Sequence, residues 1–258
     1  MPSIIPTTTR PTAAQEPPAA LAGRTLLIYE RREADGAVSG WYADGSPESF
    51  RQQRGEERHG QYVAWHPDGH RRAEGWYRQG RKHGLFTTWH PNGLRASRGE
   101  YWDGKPHGLW RRWAPNGHLI ESGGFFDGHR EGPWSLYHPD GSPQARGPYK
   151  DNRRHGAWTW WWETGARHKA GWFHQGRSIG VWTFWHPNGR QASSGLFQDD
   201  KPHGQWSFWD LQGLLQGQRV YRSGEPIATE IPEGPQPLPA APAPQPATRA
   251  DAYRHAAL

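Results

Sequence analysis

Histidine is the most frequent potential metal ligand in this 258-residue chain, which has 15 copies of it. Nine of them recur at multiples of 24 residues, in two sets: His59, His83, His107, His155 and His203, and His66, His90, His138 and His186. If 24 residues correspond to two β-strands, equivalent histidines lie about 9.6 Å apart, whereas zinc ligands each lie about 2.1 Å from one ion. We therefore predict no metal site and no cofactor, and expect these histidines to make hydrogen bonds at turns and sheet edges.

Catalytic side chains are sparse. The chain has no cysteine, which excludes a thiol nucleophile, a disulfide framework and Cys-ligated metal sites. Aspartates recur beside glycine-rich corners at Asp103, Asp127, Asp151 and Asp199, where turn formation is a sufficient reason for them. The motifs of serine hydrolases, zinc proteases, phosphate loops and dinucleotide sites are absent. These observations predict that the chain is not an enzyme, with no catalytic residues and no small-molecule substrate.

Binding is the chemistry that the composition favours. The chain carries 17 Trp, 9 Tyr and 8 Phe together with a formal net charge of +6. Rings and cations together hold single-stranded nucleic acid, and a positive charge also attracts anionic membranes and acidic proteins. Basic residues such as Arg72, Arg111 and Arg153 do not follow one column of the repeat described next, so nucleic acid is the least favoured of these partners.

The rings and histidines are placed by an internal repeat of 24 residues. Seven gapless copies occupy residues 59–226, and a degenerate copy precedes them. Position 1 of each repeat is defined here by the residues His59, His83, His107, Glu131, His155, Ile179 and His203, and position 2 is always glycine. Repeats of this length are single supersecondary elements that become stable by stacking on their neighbours.

Each repeat reads as one β-hairpin. Short aromatic segments such as Val181–His186 favour strands, and they end in turns of the type Pro-Asp-Gly or Pro-Asn-Gly, in which glycine allows positive φ. The predicted structural turn residues are Gly69, Gly93, Gly117, Gly141, Gly165 and Gly189. The fold class that follows is all-β: an elongated, twisted, single-layer antiparallel array of 24-residue hairpins.

Stacked hairpins bring equivalent rings into columns. Position 4 gives one column, from Tyr62 to Trp206, and position 19 gives another, from Tyr77 to Tyr221. Position 7 gives a third, which we predict to be the partner-binding set: Trp65, Trp89, Trp113, Tyr137, Trp161, Trp185 and Trp209. A single-layer sheet uses rings for cross-strand packing, and a contiguous aromatic surface that stays exposed marks a partner site.

The repeat resembles a known family. The pattern G-x-[YF]-x-x-G-[KR]-x-H-G-x-W-x-x-W-H-P-N-G, carried by residues 99–117 with Ala114 at the second His position, is similar to the MORN-repeat variant of the bacterial YwqK-family antitoxins. The resemblance covers about two-thirds of the chain and implies a β-hairpin array that binds protein, with a toxin as its partner. Departures occur at Trp161–Gly165, at Asp210–Gly213 and at Arg219, which replaces a late glycine.

The ends of the chain differ from the repeats. Residues 1–23 and 227–258 are rich in Pro and Ala and are predicted to be disordered tails. Residues 24–58 are predicted to form a capping strand and the degenerate repeat. The first 23 residues lack the apolar core of a signal peptide, so a cytoplasmic location is expected, with peripheral attachment to a membrane as the alternative.

The function predicted from these observations is non-enzymatic protein binding through a repeat module, with neutralisation of a toxin implied by the resemblance. A scaffold at an anionic membrane surface is the first alternative, because of the basic charge. Nucleic-acid binding through basic and aromatic side chains is the second.

Overall fold

The computed structural model describes residues 29–32 and 36–230, and these residues form β-strands without any helix. The chain divides into two compact units, residues 1–141 and residues 142–258. The predicted tails, residues 1–23 and most of 227–258, lie outside the described residues, as do residues 24–28 of the predicted cap. Within the described part, no helix has the length and apolar character required to cross a membrane.

The first unit is a meander of ten strands in which each strand pairs antiparallel with the next. Its strands are β1 (Tyr29–Arg32), β2 (Ala37–Trp41), β3 (Pro47–Arg54), β4 (Glu57–Trp65), β5 (Arg71–Arg78), β6 (Arg81–Trp89), β7 (Arg95–Trp102), β8 (Lys105–Trp113), β9 (Leu119–Phe126) and β10 (His129–Tyr137).

The second unit continues the same pattern with nine strands. They are β11 (Pro143–Lys150), β12 (Arg153–Arg154), β13 (Gly156–Trp161), β14 (Arg167–His174), β15 (Arg177–Trp185), β16 (Gln191–Gln198), β17 (Lys201–Trp209), β18 (Leu215–Arg222) and β19 (Glu225–Glu230). Strands β12 and β13 both pair with β11. The last strand, β19, extends four residues beyond the repeat boundary predicted at Pro226. The predicted fold class, an all-β open array of antiparallel hairpins, is confirmed.

Two kinds of turn alternate along each unit. The first follows the Pro-Asn-Gly or Pro-Asp-Gly signal: at residues 90–94, for example, the Gly93 amide donates to the His90 carbonyl, and the His90 amide donates to the Leu94 carbonyl. The second is a two-residue turn such as Asp103–Gly104, where φ is 50° and 85°. Positive φ at both central residues matches the right-handed twist of the flanking strands.

Buried side chains lie against backbone instead of a second layer. Trp134 and Trp158 are 1% exposed although each unit has one sheet layer. The degenerate repeat is packed more conventionally, with Val38 and Tyr42 buried. Its buried Glu48 carboxylate is paired with the Arg72 guanidinium. Burial in this array therefore depends on rings that cover glycine positions, described next.

Candidate binding surfaces

One side of each unit carries a continuous row of aromatic rings and is called here the ring face. Rings at positions 4 and 19 alternate edge-to-face across neighbouring strands, a favoured geometry for aromatic pairs. Centroid distances include 5.4 Å for Phe86–Tyr101, 5.0 Å for Tyr101–Trp110 and 5.1 Å for Phe197–Trp206. In the second unit, position-6 rings join the row, because Trp160 stacks between Trp158 and Trp182 at 5.5 and 5.8 Å.

Glycines at position 17 make room for these rings. A Cβ placed on Gly171 would lie 2.1 Å from Cδ2 of Trp182, and one placed on Gly195 would lie 2.2 Å from Cδ2 of Trp206. A Cβ would lie equally close to an aromatic ring at Gly75, Gly99, Gly123 and Gly147. The indole N–H of Trp206 is also used, since it donates to the Leu196 carbonyl at 3.1 Å. The ring face is thus closed by packing rather than open for a partner.

Basic side chains cover part of the ring face. The Lys82 ammonium lies 4.7 Å from the Phe86 ring centroid and 4.8 Å from that of Tyr101, and the Arg130 guanidinium lies 4.2 Å from that of Trp134. Burial lowers the pKa of Lys82, and the charge of Arg58 acts in the same direction. Burial likewise lowers the pKa of Lys169, with a further contribution from Arg154. These contacts are cation–π interactions that occupy the cations within the chain.

The opposite side of each unit, called here the open face, carries large exposed apolar side chains. Strand side chains alternate between faces, so positions 3, 18 and 20 lie opposite the rings of positions 4 and 19. In the first unit Trp76 is 56% exposed, Trp102 60% and Phe126 64%. In the second unit, large exposed apolar residues of this face include Trp172, Val181 and Leu196, and Val181 lies directly opposite Leu196 in the register of β15 and β16. The open face is the more accessible apolar surface.

A shallow groove of about 700 Å³ opens among the first hairpins of the first unit, with His59, Trp76 and His83 in its lining. The Nδ1 atom of His83 is buried and has no hydrogen-bond partner within the described part of the chain. The groove places a polar atom beside the exposed ring of Trp76.

The position-7 aromatics, predicted as the partner-binding set, are half-buried throughout: Trp65, Trp89, Trp113, Tyr137, Trp161, Trp185 and Trp209. Two of them also lie under arginines, since Arg95 is 5.3 Å from the Trp113 ring centroid and Arg167 is 5.8 Å from that of Trp185. The structure arranges these residues at the ends of strands, next to the first turn of each hairpin. They expose less of their rings than Trp76, Trp102 and Phe126 do.

The histidines that precede the first turn link consecutive hairpins. Their Nε2 atoms lie within hydrogen-bond distance of the position-7 carbonyl of the next repeat: His66 to Trp89 O at 3.0 Å, and His90 to Trp113 O and His186 to Trp209 O at 2.9 Å. Trp162, which departs from the pattern, donates its indole N–H to the Trp185 carbonyl at 3.3 Å. Tyr42 in the degenerate repeat donates its hydroxyl to the Trp65 carbonyl at 2.8 Å. At these two positions a different donor makes the bond that histidine makes in other repeats.

The position-1 histidines pack against rings of the open face. The ring centroids of His83 and Trp102 are 4.8 Å apart, and those of His107 and Phe126 are 5.3 Å apart. Over residues 29–32 and 36–230, no three His, Asp or Glu side chains come close enough to hold a metal ion.

The recurrent aspartates and turn glycines lie at the hairpin corners. Asp103 pairs with Arg81 at 2.5 Å and Asp127 with Lys105 at 2.8 Å, so basic residues of one repeat reach the turn of the next. The hydrogen bond from Lys105 lowers the pKa of Asp127. All six predicted turn glycines have φ between 79° and 89°, a region that favours glycine: Gly69, Gly93, Gly117, Gly141, Gly165 and Gly189.

The sequence analysis did not single out the open-face residues as partner contacts. The available signal was their place in the strands: Trp76, Trp102 and Phe126 each stand next to a position-19 ring, Tyr77, Tyr101 or Phe125. Two large adjacent apolar residues in a strand point to opposite faces. In a sheet of one layer, the outer member of such a pair remains exposed.

Comparison with known proteins identifies the repeat. Residues 130–151 match a family model described as MORN repeat variant. The chain carries a MORN repeat. Repeats of this family are in general protein- or lipid-binding modules, which agrees with a binding array. The matched segment spans β10, the following turn and β11, and ends at Asp151. No curated protein matches the chain.

Among solved structures, a match is found to a crystal structure of an S. aureus TarM mutant in complex with fondaparinux, alpha-GlcNAc-glycerol and UDP. The identity is 10%, the match covers 59% of this chain and 21% of that chain, and the TM-score is 0.16. The sequence-based prediction that this chain is not an enzyme is corrected to the extent that it is not retained. A TM-score of this size carries no argument for a particular activity of this chain.

Proposed function

We propose that this chain is a protein-binding repeat module whose open face contacts the partner. The observation that supports the proposal most directly is the row of exposed apolar side chains on the same face of successive hairpins, with Trp76, Trp102 and Phe126 more than half exposed. Tryptophan is enriched among the residues that dominate binding energy at protein interfaces. An exposed apolar surface of this kind is typical of a partner site.

The partner proposed from the family resemblance is a toxin, which the chain would neutralise by covering a functional surface. The arrangement of the ring face supports the choice of the open face for this role. Its rings are packed against glycines and lie under cations, so their apolar surface is already used within the chain.

The experiment is affinity capture of a partner by the full-length chain from a lysate of its source, followed by mass spectrometry. The variant Trp76→Ala/Trp102→Ala should lose at least tenfold in affinity for the captured protein while keeping the melting temperature within a few degrees, because both rings are exposed. The matched variant is Trp65→Ala/Trp89→Ala, which removes two half-buried position-7 rings.

The two variants separate the two candidate surfaces. If the position-7 variant loses affinity at an unchanged melting temperature and the open-face variant binds normally, the position-7 set is the contact surface and the open-face assignment is wrong. Binding by the wild-type chain that is lost on nuclease treatment would instead favour nucleic acid as the partner. Binding lost on detergent treatment would favour a membrane.

A further inference from the structure

Two arginines of the first unit face each other without an intervening acid. Strands β7 and β8 place Arg98 directly opposite Arg111. Residues paired in this way on one face have Cβ atoms about 4.5–5.5 Å apart, and like charges in such pairs are destabilising. Both side chains are exposed. They lie on the open face, because their chain neighbours Gly99 and Trp110 belong to the ring face.

The charge of this pair is not neutralised within the described residues, where neither guanidinium takes part in an ion pair or hydrogen bond. Nearby arginines differ, since Arg71 pairs with Glu74 and Arg112 pairs with Glu121. The cross-strand neighbours of the pair are uncharged: Thr87 lies opposite Arg98, and Ser122 lies opposite Arg111. Two adjacent positive charges therefore point outward from the sheet.

We propose that Arg98 and Arg111 form a clamp for a phosphoryl group carried by the protein partner. This inference rests on the proposed function and specifies the chemistry of that partner. A phosphate monoester carries about −1.5 to −2 charges at pH 7, which balances the two guanidiniums. Each guanidinium presents donors in a planar fork that suits two phosphate oxygens. A carboxylate offers one charge and two oxygens and would leave half of the site unbalanced.

The surroundings of the clamp favour a localised anion on a protein over a membrane or a nucleic acid. Glu74 lies on the same face one strand beyond Thr87, and Glu100 lies two residues from Arg98. The Glu100 carboxylate beside the pair disfavours a continuous anionic surface, whereas a single phosphoryl group needs only the space over the two guanidiniums. Exposed apolar side chains nearby, Trp102 and Leu109, add contacts that suit a protein surface.

The first test uses the full-length chain with phenyl phosphate, and with benzoate as a monoanionic ligand of similar shape, at constant ionic strength. Phenyl phosphate should shift the arginine Nε–Hε NMR signals of Arg98 and Arg111 in a saturable way. It should bind at least tenfold more weakly to Arg98→Gln and to Arg111→Gln. The control is Arg222→Gln, which removes an exposed arginine from the second unit and should leave binding unchanged.

Stability provides the second readout. Because removal of one arginine relieves repulsion, Arg98→Gln and Arg111→Gln should melt at the wild-type temperature or above it. A clear decrease in melting temperature relative to Arg222→Gln would mean that the pair has a structural role, and equal binding of phenyl phosphate and benzoate would mean that no phosphoryl site exists. Either result overturns the proposal.

A third experiment, capture of the protein partner, distinguishes this proposal from the proposed function. A captured protein that phosphatase treatment releases, and that Arg98→Gln does not capture, supports the clamp. Capture that is insensitive to both changes overturns the clamp and leaves protein binding intact. Absence of any captured protein overturns the proposed function, while the phenyl phosphate titration still decides on the clamp. Stronger binding to phosphatidylcholine–phosphatidylserine vesicles than to any protein, lost in Arg98→Gln, would overturn the protein assignment.

Discussion

The contact between a glycine and an indole is the smallest structural feature that the array repeats. Gly171 is covered by Trp182, and Trp182 is 4% exposed. The last repeat shows that the ring is the reason for the glycine: Arg219 stands at the equivalent position, opposite Thr229 of β19, and the chain described up to residue 230 brings no later ring to it. The departure at Arg219 that the sequence analysis noted thus follows from the end of the array.

Substitution of Gly171 with Ala should destabilise the protein by about 1–3 kcal/mol, as overpacking of a filled site does. The added Cβ would lie 2.1 Å from the Trp182 ring, so the ring or the strand must move. Urea unfolding followed by tryptophan fluorescence measures the change. Arg219→Ala is the matched control and should change the stability by less than about 1 kcal/mol, because it removes only the contact of the guanidinium with the Phe208 ring, 5.5 Å away. Equal effects of the two substitutions would mean that the ring does not depend on the glycine.

At the scale of the hairpin, the sequence was informative about turns and less so about faces. Turn residues act on their own backbone, so Pro-Asn-Gly at positions 91–93 predicts a reversal without knowledge of the rest of the chain. Exposure depends instead on what neighbouring strands place over a side chain. The position-7 residues recur every 24 residues, yet they are half-buried. Trp76 and Trp102 lie at different repeat positions, 18 and 20, yet both are more than half exposed, so regularity alone could not reveal exposure.

The hydrogen bond that links the first turns of consecutive hairpins leads to a prediction at this scale. His90→Ala should destabilise the protein by about 1 kcal/mol, because the Trp113 carbonyl loses its imidazole partner at 2.9 Å. His129→Ala is the control, since His129 is exposed on β10, and it should be close to neutral. Urea unfolding again provides the measurement. A neutral His90→Ala would show that solvent replaces the imidazole at no cost and that the turn histidines contribute nothing to stacking.

At the scale of the whole molecule, the period of 24 is a structural constraint because, within each unit, every hairpin contacts its neighbours through equivalent positions. Repeat arrays of this kind have stabilities that are approximately sums of repeat and interface contributions. Deletion of residues 179–202 joins Ser178 to His203 and brings Trp206 over Gly171 in place of Trp182. We therefore expect this variant to fold and to unfold cooperatively, with a smaller denaturant m-value, because less surface is exposed on unfolding.

Deletion of residues 180–202 is the matched test, since it removes 23 residues instead of 24. The residues that follow are then shifted by one position relative to the neighbouring strand. A slip of one residue moves every side chain to the other face of a sheet, so Trp206 would leave the ring face and the Gly171 position would stay uncovered. This variant should be strongly destabilised or aggregate, as measured by urea unfolding and size-exclusion chromatography. If the two deletions behaved alike, stacking of hairpins would tolerate a register error, and the packing of rings on glycines could not be what fixes the period.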